Sequence, residues 1–254
     1  MKKIICFLLL SIFCFCGLGT LSGCRGIGLR LYESEFFIYT VGYDTNNVSI
    51  LGLTDKGKEQ EYLVIPETIA NKEVTSVDYS ALATRKITKK YGDAKYSGLQ
   101  SDSLKKIFII QKITVYSEKF FTLATNQLSV FFISNDTKWE GRMNRYDYYF
   151  TKDNDYIPKS YLRNHEANVS YFYNYENAKN DGYYWIDNYT YGEKIEYIPE
   201  NPTRDGYTFD GWYKESECIN KWNFEVDTLP EEQFNEEEIT IYQETKLYAK
   251  WIEN

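Results

Sequence analysis

Histidine and cysteine are nearly missing from this 254-residue chain: His165 is the sole histidine, and three of the five cysteines fall in the first 16 residues. One histidine excludes a histidine-rich metal site, and a Ser-His-Asp arrangement would have to use His165, which lies in a polar, loop-like stretch. Cys218 follows Lys214-Glu215-Ser216-Glu217, whose excess negative charge opposes thiolate formation. No P-loop and no glycine-rich dinucleotide turn is present. Catalytic residues, metal ligands and cofactors are therefore expected to be absent. The one open door is a glycosidase pair, which is defined by spatial separation and could hide among 37 carboxylates.

Long apolar runs are scarce too. The only one, Ile4 to Cys16, follows Lys2-Lys3 and is too short to cross a bilayer core of about 30 Å at about 1.5 Å per residue. Basic start and short apolar core make a secretory signal. Leu21-Ser22-Gly23-Cys24 then resembles the lipobox of bacterial lipoproteins. That resemblance implies that residues 1–23 are a signal peptide, that cleavage falls before Cys24, and that Cys24 carries palmitate and further acyl chains. One chain holds a protein reversibly, whereas two or three hold it for good. The expected location is the bacterial cell envelope, anchored by lipid to the outer face of the membrane with an extracellular ectodomain.

Removing the leader leaves 27 Lys+Arg against 37 Asp+Glu, a net charge near −10. That sign disfavours nucleic acid, whose binding needs phosphates neutralised. With Cys24 lipidated only Cys218 remains, so no intramolecular disulfide can form. Aromatics at 18%, including 25 Tyr, with only five Pro, favour strands.

The expected fold is mainly β. Phe37-Ile38-Tyr39-Thr40-Val41, Val48-Ser49-Ile50 and Tyr62-Leu63-Val64-Ile65 read as strands, separated by Asp44 to Asn47 and by Lys56-Gly57-Lys58. Units then recur. Val64-Ile65-Pro66 leads to Val74-Thr75-Ser76-Val77, Lys106-Ile107-Phe108-Ile109 leads to Ile113-Thr114-Val115, and Val130 and Phe132 stand 23 residues after Ile107 and Ile109. This spacing is that of a solenoid whose units bury apolar faces against one another. Residues 37–134 resemble BspA-type leucine-rich repeats, in which the first unit often follows a hairpin such as Val48 to Leu53. Asn71 stands where that family prefers glycine, and Ala83 to Asp102 inserts a polar stretch. Residues 135–166 read as a polar connector with strand character at Tyr146 to Thr151.

The C-terminal part carries a sharper pattern. Pro202-Thr203-Arg204-Asp205-Gly206 turns into Tyr207-Thr208-Phe209-Asp210-Gly211-Trp212-Tyr213, where Gly211 breaks the alternation as at a bulge. Lys221-Trp222-Asn223-Phe224 and Leu247-Tyr248-Ala249-Lys250-Trp251 follow. These residues resemble the Listeria/Bacteroides repeat, also called the internalin B-repeat, which implies a small β-grasp-like module over 167–254, folding as a unit around its tryptophans. Tyr183, Tyr184, Trp185, Tyr189 and Tyr191 lie in a lengthened segment that serves either as core or as a stacking platform for sugars or peptides.

Both resemblances are to modules used for interaction. The expected function is noncatalytic binding or adhesion to a protein or glycan at the cell surface, with ligand-binding residues unassigned. The alternative is an envelope enzyme or accessory module acting on carbohydrate.

Overall fold

In a computed structural model, the described residues are 29–42, 45–116, 119–122, 128–134, 138–139, 159–162 and 167–254. Residues 1–23, expected above to be a signal peptide, Cys24, His165 and the stretch Tyr146 to Thr151 lie outside them.

The described residues are mainly β, with few helices and no closed barrel. The first sheet begins as an antiparallel meander of β1 (Tyr32–Glu33), β2 (Phe37–Val41) and β3 (Val48–Leu53). Residues 48–53 thus form one strand rather than a hairpin. Lys56, Gly57 and Lys58 belong to a one-turn helix α1 (Asp55–Lys58), capped by the Thr54 hydroxyl, which accepts from the Gly57 amide. β4 (Tyr62–Ile65) opens a second sheet, and β5 (Thr68–Ile69) hairpins into β6 (Lys72–Val77). Ala70 and Asn71 between them sit at φ 52° and 60°, both left-handed, the turn geometry that a tight hairpin needs. Asparagine at 71 fits that demand.

The stretch after β6 is not a polar loop. Helix α2 (Ala81–Tyr91) starts at Ser80, whose hydroxyl accepts from the Ala83 amide, and stops at left-handed Gly92. Only Ala83 and Ile87 of its residues are buried, packed on Ile38 and Leu51. β7 (Lys106–Ile109), β8 (Thr114–Val115), the short α3 (Lys119–Thr122), β9 (Ser129–Phe132), β10 (Lys138–Trp139) and β11 (Lys159–Leu162) complete this half. Strands β3, β6, β8 and β10 pair in parallel in the first sheet; β4, β7, β9 and β11 do so in the second.

Pleating sorts the second sheet's residues between two cores. Leu63, Ile65, Ile107, Ile109, Val130 and Phe132 face the first sheet and fill the space between the two. Val64, Phe108 and Phe131 face the other way, and both phenylalanines have no exposed surface. A parallel sheet covered on both faces is built this way.

The cover comes from the C-terminal sheet, in the order β13 (Tyr183–Asp187), β12 (Val169–Phe172), β15 (Thr245–Glu253), β14 (Tyr207–Tyr213). Its central pair, β12 and β15, is parallel and its flanks are antiparallel. Trp185, Tyr171, Trp212, Trp222, Leu247 and Ala249 lie in the same core as Phe108 and Phe131. The aromatic core of 167–254 is therefore not closed on itself. From one side to the other the molecule runs α2, first sheet, second sheet, C-terminal sheet.

Candidate functional site

Between β14 and β15 the register slips from Phe209↔Trp251 to Gly211↔Lys250, leaving Asp210 as the extra residue of a bulge. The Asp210 carboxylate accepts from the Tyr213 hydroxyl at 2.7 Å and has Lys221 and Lys250 each at 3.9 Å. That tyrosine hydrogen bond, then the two cations, hold its carboxyl below the usual range. Gly211 has φ 133°, and a Cβ there would stand 2.5 Å from Lys221 Cε. Gly211→Val should therefore destabilise by about 1–3 kcal/mol, read as a lower urea midpoint. An unchanged midpoint would show that the bulge tolerates side chains.

Within the aromatic segment 183–191, Trp185 and Tyr184 belong to the core and its margin. Trp185 is buried with its ring 4.2 Å from Phe108, and Tyr184 stacks on Trp212 at 5.6 Å and donates to the Glu200 carbonyl. Tyr197 completes a stack that joins Trp185, Phe108 and Tyr62 at 5.8, 5.5 and 5.3 Å. Of this segment Trp185 is spent on contact with the second sheet and Tyr184 on packing inside the C-terminal sheet, while Tyr189 and Tyr191 stay half-buried.

The strongest polar constellation was not foreseen. Lys106 Nζ on β7 donates to Asp187 Oδ1 on β13 at 2.6 Å and to the Asn188 carbonyl at 3.0 Å. The two side chains are 15% and 1% exposed. The Asn188 amide donates to Asp187 Oδ1 at 2.7 Å, and the Tyr189 hydroxyl to Oδ2 at 2.7 Å. Lys106 Nζ also lies 3.9 Å from the centre of the Tyr189 ring. Burial pushes the Asp187 carboxyl up; Lys106, Tyr189 and Asn188 pull it back only in part. Burial, then Asp187, drives the Tyr189 hydroxyl far above its ordinary value. The groups satisfy one another across the two sheets, so the arrangement acts as a joint between them. At the opposite end of β7 and β13, Lys179 pairs with Glu67 at 2.6 Å, and Asn180 Nδ2 donates to the Ile110 carbonyl at 3.1 Å.

Beside the joint is an open depression of about 340 Å³, lined in part by Asn168, Tyr189, Tyr191 and Tyr242. Several of its polar groups are engaged with one another or with the backbone. Asn168 bonds both the amide and the carbonyl of Tyr189, Tyr242 donates to the Ala167 carbonyl, and the Tyr191 oxygen accepts from the Gln243 amide.

Cys218 is half-buried at φ 54°, and burial pushes its thiol up, the wrong direction for a nucleophile. The acidic run Glu231 to Glu238 forms an exposed loop closed by a bridge between Phe234 and Thr240. Among the described residues no three of His, Cys, Asp and Glu converge to hold a metal ion, and no helix is long and apolar enough to cross a membrane.

What the geometry does define is a four-stranded module with a turn at left-handed Gly206, a bulge at Gly211, and Trp212 and Leu247 turned inward. Residues 170–250 match the family model of the Listeria-Bacteroides repeat domain. No curated protein matches the chain. In this repeat the signature aromatics divide their work: Trp212 and Trp222 fill the core, joined there by Trp185 of the lengthened segment, while Phe209, Phe224 and Trp251 pack against it half-buried. Trp251 also donates from its indole N–H to the Tyr173 carbonyl at 2.6 Å.

Proposed function

We propose that this chain is a lipid-anchored protein of the bacterial cell surface that binds a protein or glycan partner without changing it chemically. The parallel steps β4, β7, β9 and β11, each of the first three followed by a strand of the other sheet, support a short solenoid of the BspA leucine-rich-repeat kind. The parallel central pair β12 and β15 supports a β-grasp-like reading of the repeat. One observation carries the functional reading: the repeat spends its best polar and aromatic groups on holding itself to the second sheet. What it leaves outside is extended surface and one shallow open depression rather than an enclosed pocket. Cys24 supplies the anchor, and the net charge near −10 directs the choice of partner away from anionic polymers.

Residues 25–254, which contain every described element, should capture a surface protein or glycan and release it with unchanged mass. Turnover of a glycan, peptide or ester that a single carboxylate substitution abolishes would replace this reading with the enzymatic one. Separately, Cys24→Ala should lose incorporation of a clickable fatty acid. Equal labelling of variant and parent would remove the anchor.

A further inference from the structure

Charge is divided unevenly along the sequence. Residues 167–254 hold 19 Asp+Glu against seven Lys+Arg, whereas residues 24–166 hold 18 against 20. The acidic excess therefore belongs to the repeat, and at the opposite end lies α2. With Ala83 and Ile87 turned inward, the face of α2 carrying Leu82, Arg85, Lys86 and Lys89 points outward, these four being spaced three, four and seven residues apart. Leu82 is 48% exposed. Neighbouring cations are already partnered: Lys90 with Glu33 at 2.7 Å and Lys95 with Asp93 at 3.7 Å. Arg85, Lys86 and Lys89 form no ion pair among the described residues.

The chain enters the fold at this same end. Leu29 and Leu31 pack against the cluster of Ile38, Leu51, Ala83 and Ile87, the one that seats α2. Leu29 follows Cys24 by five positions, a reach of at most about 18 Å. Resting on the anchor proposed above, we infer that the outward face of α2 docks on the anionic phospholipid surface to which Cys24 is tethered, with Leu82 entering the headgroup layer. Cations near such a surface are drawn to its negative potential. Three cations are too few to bind a free protein firmly, but enough to orient one already held by lipid. Repulsion of the repeat by the same surface acts in the same sense. The repeat is then carried on the side away from the membrane.

The test uses residues 25–254 with Cys218→Ser, tethered by an N-terminal hexahistidine tag to chelating lipid, and a polarity-sensitive dye on Leu82→Cys. This arrangement does not depend on Cys24 being lipidated, so failure of docking and failure of the anchor are separate results. On vesicles containing about one third phosphatidylglycerol the dye should shift to the blue and resist an aqueous quencher at least twofold better than on phosphatidylcholine. Salt at 0.5 M or Arg85→Glu/Lys89→Glu should reverse both effects, and a dye on Phe234→Cys should stay quenchable throughout. A Leu82 dye that remains open to quencher on anionic vesicles overturns the proposal. So does protection of the Phe234 dye instead, or salt-sensitive self-association without vesicles that Arg85→Glu/Lys89→Glu abolishes, which would assign the face to the acidic loop of a second copy.

Discussion

Phe108→Ala is expected to lower the stability of both halves together by about 3–5 kcal/mol. Phe108 has no exposed surface, belongs by sequence to the N-terminal sheets, and touches Phe131, Trp185 and Tyr197 at 4.8, 4.2 and 5.5 Å between ring centres. Its removal opens a cavity on the floor of the repeat as much as on the second sheet. Since a domain is stable by only about 5–15 kcal/mol, the loss is a large fraction of the whole. Tryptophan fluorescence, which reports mainly on the repeat, and far-ultraviolet circular dichroism should give coincident urea transitions, shifted together in the variant. Two separated transitions, with only one of them moved, would show that the repeat folds alone and merely rests on its neighbour.

Asp187→Ala should cost about 3–5 kcal/mol, because it leaves the ammonium of Lys106 in a site only 15% exposed with its counter-charge gone. Lys106→Met should cost a comparable amount for the mirror-image reason. Removing both charges, in Lys106→Met/Asp187→Leu, should recover most of the loss, since well-packed apolar residues often replace a buried pair at little cost. The energy of the pair as such is thus small, and the penalty lies in breaking it by halves. Denaturant titration of the four proteins closes the cycle. Losses that simply add would mean that the two groups do not act on each other.

The turns and the bulge were legible because they are local. Asp205-Gly206 and Gly211 announce backbone conformations that few residues adopt, and Asn71 marks a hairpin for the same reason. The repeating strands were legible through the spacing of Ile107 and Val130. The covered outer face of the second sheet was written less plainly: Lys106-Ile107-Phe108-Ile109 and Ser129-Val130-Phe131-Phe132 are continuous rather than alternating, which is the mark of burial on both sides. Nothing in those runs says what the cover is, because it arrives from β12 onward. The Lys106–Asp187 joint spans 81 positions in sequence, and no spacing rule connects such partners. Helix α2 was read as a polar insertion since it offers the core only an alanine and an isoleucine; its caps, Ser80 and Gly92, were the available signal.

The parallel pairing of β12 with β15 decides how the repeat answers to force. Tension applied through residues 167 and 254 draws these neighbours in opposite directions along their own axes, so the bonds of the Val169–Phe172 ladder with Thr245–Tyr248 are loaded in shear, all at once, rather than opened one by one as in a hairpin. Rupture in that geometry is governed by the barrier to unfolding. With its first and last strands side by side and parallel, residues 167–254 meet a pull on their two ends with the whole ladder at once.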